Sequence, residues 1–449
     1  MHKIFTNSGW LLADKLARLF IGLITMAMIA RHIGPEAFGI WNYALALTAI
    51  VGSLAILGLD KVVVKEVVSH PERENGIIAS TLVIRFGAGL LAFLVCTAVV
   101  YFTKHDSPVY LYCTLITGLT IILQSFDVFD YFYQAKNEVQ RVIIPKVVLF
   151  TLFCIIKIVF IYLDSDLLVF LWLSFAELLL TYLIILFNYL RKSNRHLITA
   201  VSLTEIRYLL LHSWPLMFTG VLIVLYLKSD QLLLDTFSTA VQVGEYAAAA
   251  RISELWYALP TVIATALLPG LITKKKASLD AYIQAMERWL RLSFWTSTMI
   301  ALAMSFFAAP VIQVLYGIQY PKSGIILSIH IWANIPVFLC TALMQYQLIE
   351  GSYKTNLYAS VAGLVVNILI NILLIPSLGG IGAAIATVVS YMAVCTSLVV
   401  LDKTGRLVLL MQKMLYPAEA VADVRYMFDA FKIFADNFLS VIREKYLTK

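Results

Sequence analysis

The sequence predicts an all-α integral membrane protein, with twelve transmembrane helices in two six-helix lobes around a central cavity. Three observations carry that expectation. Twelve apolar stretches, each long enough to cross a bilayer, follow one another from about residue 9 to residue 402. Hydrophobic residues make up 61% of the 449-residue chain and charged residues only 14%, more apolar surface than a soluble fold can hide. Six basic and four acidic side chains nonetheless fall inside the stretches, where only a wet or paired interior tolerates them.

A helix needs about 20 apolar residues to cross the hydrocarbon layer. The first six spans fall at approximately residues 9–30, 40–59, 76–102, 108–126, 142–163 and 167–190. The second six fall at approximately 213–234, 244–270, 288–316, 324–349, 355–375 and 380–401. These are continuous runs and not short alternating ones, which excludes barrel strands. The first span carries Asp14, Lys15 and Arg18 and lacks a small-residue cleavage pattern, so it is expected to stay in the mature chain.

The longest polar break, residues 191–212 opening with RKSNRHL, separates an N-terminal lobe (1–200) from a C-terminal lobe (201–402). FGIWNYA from Phe38 and VGEYAAA from Val243 recur shortly after spans one and seven. Such a recurrence fits parallel six-helix repeats that handle substrate at their interface. Residues 403–449 are expected to form a cytoplasmic tail. Val424, Met427, Phe428, Phe431, Phe434, Phe438 and Val441 recur there at helical spacing, beside Lys432, Arg443 and Lys445. The stripe reads as an amphipathic helix, lying on the membrane or packed on cytoplasmic loops.

Lysine and arginine set the orientation. With the N-terminus inside, the inner segments hold Lys61, Lys65, Arg73, Lys136, Arg141, Arg191, Lys274, Lys275, Lys276 and the basic residues of the tail, against Arg31, Lys104 and Lys322 outside. Both termini are therefore expected in the cytoplasm. The net charge of +7 reads as a topology signal and an attraction to an anionic inner leaflet, with no nucleic acid as partner.

Several chemistries find no place in this sequence. The outward loops are short, and none combines histidine, carboxylate and glycine as a catalytic site would. The seven histidines lack HExxH or HxxxH spacing, so no metal is expected. No GxxxxGK[ST] phosphate loop is present, which leaves an ion gradient or the membrane potential as the energy source. Cys96, Cys113, Cys154, Cys340 and Cys395 lie within spans without CxxC spacing, against a disulfide framework or zinc site.

Buried charges are the strongest site signal. Lys15, Arg18, Arg85, Lys157, Lys228 and Arg251 are basic, against Asp14, Glu177, Asp230 and Glu254. A cavity with that basic surplus suits a diphosphate, a multiply charged acceptor that arginine grips through two parallel hydrogen bonds. The candidate substrate-binding set is Lys15, Arg18, Arg85, Lys228 and Arg251. Asp14, Glu177, Asp230 and Glu254 are candidates for coupling to H+ or Na+, with no other cofactor expected. Local pairing within a helix, Asp14 with Arg18 or Arg251 with Glu254, is the plainer reading. Lys228 and Asp230 are two apart, on different sides of a helix, and need partners elsewhere. Asp127, Asp130, Tyr131 and Gln134 share one helix face, as a portal for sugar hydroxyls or a solvated helix end. Lys146, Arg288 and Arg291 are expected to snorkel to the cytoplasmic surface, and Asn367 with Asn371 to join helices by hydrogen bonds.

RHIGPEAFG from Arg31, GLD from Gly58, VGEYAAAARI from Val243 and NILLIPSLGGIGAAIATVVS from Asn371 resemble the Wzx-type polysaccharide flippases. The resemblance covers about residues 1–402 and leaves the tail outside it. It implies the fold of the multidrug/oligosaccharidyl-lipid/polysaccharide exporter superfamily. It also implies a cargo, an undecaprenyl-diphosphate-linked oligosaccharide carried from the cytoplasmic to the periplasmic leaflet of the bacterial inner membrane for O-antigen, lipopolysaccharide or related surface-polysaccharide assembly. Membrane lipids, the polysaccharide polymerase and the chain-length machinery are the implied partners, and no enzymatic activity is. Related lipid II flippases place basic residues of their first and eighth helices in the cavity, the helices that hold Lys15, Arg18 and Arg251 here. Two rivals stay open: a cation-coupled drug exporter of the same superfamily, and a membrane glycosyltransferase acting as polymerase or ligase.

Overall fold

The computed structural model describes residues 2–192, 201–416, 419, 422 and 423. The side chains of residues 2–18, 192, 215 and 219 lie outside that description, as does the tail stripe from Val424 to Val441. Regular structure among the described residues is helical throughout. Hydrocarbon offers the main chain no hydrogen-bond partner, and a helix satisfies its own N–H and C=O groups.

Helix α1 (His2–Ile56) is broken at Gly34 (φ 80°, ψ 169°), and Pro35 opens the continuation. Glycine reaches this positive φ without a Cβ clash, and proline suits a first helical turn because its missing N–H would have no partner there. The Gly-Pro of RHIGPEAFG thus ends one span and starts the next. Eleven stretches among the described residues are long and apolar enough to cross a membrane, and the first of them, Leu19–Ser69, has 51 residues. At 1.5 Å per residue it is roughly 76 Å long, enough for two crossings. The total is then the twelve that the sequence predicts.

The remaining helices are α2 (Leu59–Ser69), α3 (Glu74–Thr103), α4 (Pro108–Leu123), α5 (Val128–Ala135), α6 (Gln140–Tyr162), α7 (Leu167–Lys192), α8 (Leu203–Phe237), α9 (Ala240–Glu254) and α10 (Ala258–Ala277). They continue as α11 (Leu279–Leu315), α12 (Ser323–His330), α13 (Asn334–Ile349), α14 (Tyr353–Leu378), α15 (Gly380–Val400) and α16 (Arg406–Lys413). Among the described residues four spans are interrupted. The second breaks between α1 and α2, where Leu57 and Gly58 take positive φ. Short 3-10 turns break the fourth at Gln124–Asp127, the eighth at Leu255–Tyr257 and the tenth at Ile331–Ala333. In a six-plus-six repeat the second span corresponds to the eighth and the fourth to the tenth, and paired interruptions of this kind mark where transporters bind.

Packing sorts the chain into two compact units. One comprises Met1–Ile252, Ala308–Leu327 and Leu364–Thr387; the other comprises Ser253–Phe307, Ser328–Gly363 and Val388–Lys449. The first unit draws on both halves of the sequence. Leu59, Val63, Ile78, Phe129, Tyr133 and Tyr189 belong to a core of the first, and Tyr282, Met286, Leu290, Leu343, Tyr346 and Leu398 to a core of the second. Large apolar side chains such as Phe102, Phe306 and Leu373 remain exposed, as a surface solvated by lipid tails permits.

Candidate functional site

The charges of the first half meet one another. Arg85 on α3 is buried; its guanidinium donates to the Tyr131 hydroxyl on α5 and lies 3.7 Å from the Asp127 carboxylate. Lys146 on α6 bonds Asp130 and lies 3.8 Å from Asp127, while the Tyr182 hydroxyl on α7 donates to Asp127 at 2.8 Å. Two cations and two carboxylates thus surround the 3-10 turn that separates α4 from α5. That turn directs Asp127, Asp130 and Tyr131 onto Arg85 and Lys146 and leaves Gln134 exposed. Lys146, expected to snorkel, instead finds a carboxylate closer than the surface. Lys157 and Glu177 form a second buried pair at 2.9 Å.

The second half is different. Asp230 on α8 is buried, 3% exposed, and neutral donors from three other helices surround it. Its carboxylate accepts from the Tyr246 hydroxyl on α9 at 2.6 Å, the Asn371 amide on α14 at 2.6 Å and the Thr387 hydroxyl on α15 at 2.7 Å. Asn367 extends the network, its Oδ1 accepting from Asn371 at 3.1 Å and from Ser229 at 3.0 Å. The Asn371 Oδ1 atom is buried without a hydrogen-bond partner. A carboxylate with hydroxyl and amide oxygens around it is a hard-oxygen donor set, chemically able to hold a proton or a small monovalent cation. Among the described residues no three His, Cys, Asp or Glu side chains converge as metal ligands.

Lys228 and Arg251 are half-buried, and no carboxylate lies within ion-pair distance of either among the described residues. The Arg251 guanidinium stands over the Phe38 ring, 5.9 Å from its centroid, a cation–π contact that leaves the guanidinium edge open to other acceptors. Lys228 lies nine residues before the end of α8, and Arg251 eleven residues into α9. These positions are roughly 14 and 16 Å along their axes, near the middle of a hydrocarbon layer about 30 Å thick. The Asp230–Tyr246 hydrogen bond ties the two helices together. Glu254, half-buried, is the last residue of α9. The side chains of Asp14, Lys15 and Arg18 lie outside the described residues.

Next to Phe38, on which Arg251 rests, the two recurring phrases meet. A Cβ on Gly39 would lie 1.8 Å from the carbonyl oxygen of Ala240 and 3.0 Å from the nitrogen of Gly244. One on Gly244 would lie 2.0 Å from the carbonyl oxygen of Pro35 and 3.1 Å from the nitrogen of Gly39. Each glycine therefore packs on the main chain four residues before the other, the signature of a two-fold helix crossing. Around it Phe38, Tyr316 and Tyr320 form a ring cluster. The Tyr320 hydroxyl donates to the Ala30 carbonyl at 2.7 Å, and the Ser323 hydroxyl to the Glu245 carbonyl at 2.8 Å.

The sequence singled out Arg85, Glu177, Asp230 and the asparagine pair. It put Tyr131 on one face with Asp127 and Asp130 but did not foresee Tyr131, Tyr182, Tyr246 and Thr387 as their partners, because the helical period of one span does not say which residue of another span it meets.

Eleven stretches long enough to span a membrane, the first long enough to span it twice, define a multi-pass membrane protein. The family model for polysaccharide biosynthesis proteins matches residues 4–273, more than half of the chain, and the chain belongs to that family. A candidate O-antigen transporter of Shigella flexneri is 34% identical over 96 residues, 20% of this chain and 23% of that protein. The match spans less than a quarter of that relative's length. The lipid II flippase MurJ, in an inward closed conformation, superposes with a TM-score of 0.66 at 14% identity, covering 98% of this chain and 99% of its own. An inward-facing multidrug resistance MATE family transporter of the MOP superfamily gives a TM-score of 0.67 at 12% identity, covering 88% and 94%. At these identities the likeness concerns the fold alone. Both of these structural neighbours are named for transport, one a flippase and the other a multidrug transporter.

Proposed function

We propose that this chain is a flippase that moves an undecaprenyl-diphosphate-linked oligosaccharide repeat unit from the cytoplasmic to the periplasmic leaflet of a bacterial inner membrane, for O-antigen or related surface-polysaccharide assembly. One observation carries the reading: Lys228 and Arg251 sit near mid-depth with no carboxylate partner among the described residues. A cation at a helix centre costs roughly 2.5–3.5 kcal/mol on insertion scales; the Phe38 ring offsets part of that cost for Arg251, and no carboxylate among the described residues does so for either. A diphosphate would. It is the one strongly anionic group on a cargo whose polyprenyl chain stays in lipid and whose sugars need a polar path, since bare hydrocarbon would strip hydroxyls of their water at several kcal/mol each.

Lys15 and Arg18 join this set on the first span. Arg85 is left out, because its buried guanidinium is already engaged by the Tyr131 hydroxyl and the Asp127 carboxylate. Glu177 is likewise spent on Lys157. Asp230 is assigned to ion coupling: its three neutral donors accept a change of its charge by protonation, or by Na+ entry, without breaking an ion pair. Both termini are cytoplasmic in this reading, from the distribution of lysine and arginine.

The test is leaflet exchange in proteoliposomes. A fluorescent polyprenyl-diphosphate oligosaccharide is followed by quencher access from outside, with a fluorescent phosphatidylcholine as control. Lys228→Gln with Arg251→Gln is expected to slow exchange of the diphosphate lipid at least tenfold, the effect of about 1.4 kcal/mol, at unchanged Tm. Exchange at the wild-type rate in the double variant would overturn the assignment, and so would equal exchange of an uncharged polyprenyl glycoside.

A further inference from the structure

The second compact unit contains a groove that the transport reading does not use. It has a volume of about 220 Å³ and runs between α10 and α11. Ile263, Leu267 and Leu271, four residues apart on α10, form one wall, and the helical period puts them on one face. On α11, Arg288, Leu292 and Thr296 follow the same spacing and form the other. Phe338 of α13 closes it from behind.

The groove is chemically graded along its length. Lys274 lines it toward the end of α10, and Arg288 stands at the start of the α11 wall; apolar side chains fill the interval beyond them. From Arg288 to Thr296 is roughly 12 Å along the helix, and from Lys274 to Ile263 roughly 16 Å. Half of a hydrocarbon layer about 30 Å thick is the same length. A slot one leaflet long, apolar within and basic at its mouth, has the outline of one lipid.

The charges at the mouth agree. Lys275, next along the chain, is taken up by Glu350 at 2.9 Å, whereas Lys274 has no carboxylate within ion-pair distance among the described residues. Asp423 also lines the groove, but its carboxylate bonds Arg291 at 2.7 Å and stands farther, at 3.6 Å, from Arg288. Among the described lining residues Lys274 and Arg288 stand against one carboxylate, Asp423, which Arg291 shares. Basic pockets between membrane helices on the cytoplasmic side recognise anionic headgroups by this combination of charge and apolar wall.

We propose that this groove binds one anionic phospholipid of the cytoplasmic leaflet, its phosphate at Lys274 and Arg288 and an acyl chain along Leu267, Leu271, Leu292 and Phe338. The cytoplasmic side follows from the orientation given above; the binding itself does not depend on what the protein transports.

The full-length protein, purified in neutral detergent, is titrated with phosphatidylglycerol, phosphatidylcholine and a polyprenyl phosphate, and bound lipid is counted by native mass spectrometry alongside the rise in Tm. Phosphatidylglycerol is expected to bind at one site in preference to the other two. Lys274→Gln should weaken it about fivefold, the effect of one cation at a membrane surface. Leu267→Trp, which fills the groove and leaves both cations in place, should abolish it. Equal retention of phosphatidylcholine would overturn the proposal, as would unchanged binding to both variants. Preferential retention of the polyprenyl phosphate would assign the groove to the cargo carrier instead. No transport is read in this assay, so its failure leaves the flippase reading standing, and the converse holds.

Discussion

Gly39→Ala is a one-carbon change with a large expected consequence. The added Cβ would meet the Ala240 carbonyl oxygen at 1.8 Å, against an ordinary contact of 3.4–4 Å, so the helices must part by about 1.6 Å to admit it. The obstructing atoms are main chain, and no rotamer relieves them. Overpacking of this kind costs about 1–3 kcal/mol, and the better helix propensity of alanine returns at most about 1. The balance, up to about 2 kcal/mol, falls only on the state in which this crossing is closed, which corresponds to a shift of population toward an opened crossing of up to about 30-fold. Spin labels at Glu36 and Val241, both exposed and each three residues from its glycine, report the separation by pulsed electron resonance. Gly39→Ala should lengthen the principal distance or add a longer population. Gly244→Ala should do the same, and the double variant should add little, because both substitutions demand the same clearance. An unchanged distance distribution in a protein of wild-type Tm would refute the reasoning. Additive Tm losses without a distance change would make the crossing a static seam.

Other expectations concern the buried networks. Asp230→Asn keeps the shape of the site and removes its charge, so transport should persist at a reduced rate while losing its dependence on an imposed H+ or Na+ gradient; a retained gradient dependence would move the coupling site elsewhere. Asp230→Ala should also lower Tm, since Tyr246, Asn371 and Thr387 would each lose a buried acceptor; Asn371 keeps Asn367 and Thr387 keeps the Ala383 carbonyl, which holds the loss to about 1–3 kcal/mol in all. Arg85→Met should destabilise by up to about 3–5 kcal/mol, the cost of stranding one partner of a buried pair, reduced because Asp127 keeps 24% of its side-chain surface exposed. Adding Asp127→Asn should recover part of that loss, and denaturation curves in detergent that show strictly additive effects would dismiss the pair.

Much of this architecture was legible in the chain because a bilayer reads sequence crudely. Length and apolarity decide whether a segment crosses, so the spans could be placed from composition, and the Gly34-Pro35 step marks a boundary in any solvent. The recurrence of FGIWNYA and VGEYAAA carried more than a hint of duplication: its two glycines are the residues that touch. Partner choice was not legible. Asp127, Asp130 and Tyr131 look like a solvated stripe when read on a single continuous helix. The 3-10 turn at Gln124–Asp127 changes the period there, and only the packed position of α3 and α6 brings Arg85 and Lys146 to meet them. Arg291 was expected at the surface for the same reason. It is 4% exposed, because Asp423 and Glu287, far apart in sequence, converge on it.

The two halves share a plan and differ in what they do with charge, and that difference bears on mechanism. In the first half the interruption of the fourth span is filled by a neutral set, Arg85 and Lys146 against Asp127 and Asp130, and Lys157 is matched by Glu177. Breaking any of these leaves a charge unpaired in a poor solvent, so the arrangement favours one conformation. In the second half Asp230 is satisfied by uncharged donors, and Lys228 and Arg251 have no carboxylate within reach among the described residues. Such groups tolerate arrival and departure of a counter-charge at low cost, since no existing ion pair is broken. A transporter needs one part that holds its shape and another whose electrostatics change with load. The first-half network suits the former role, and α8 and α9 with their open cations and caged carboxylate suit the latter. It follows that charge-neutralising substitutions should lower Tm when made at Arg85 or Lys157 and lower turnover when made at Lys228, Asp230 or Arg251, a division that paired melting and leaflet-exchange measurements on one panel of variants would expose directly.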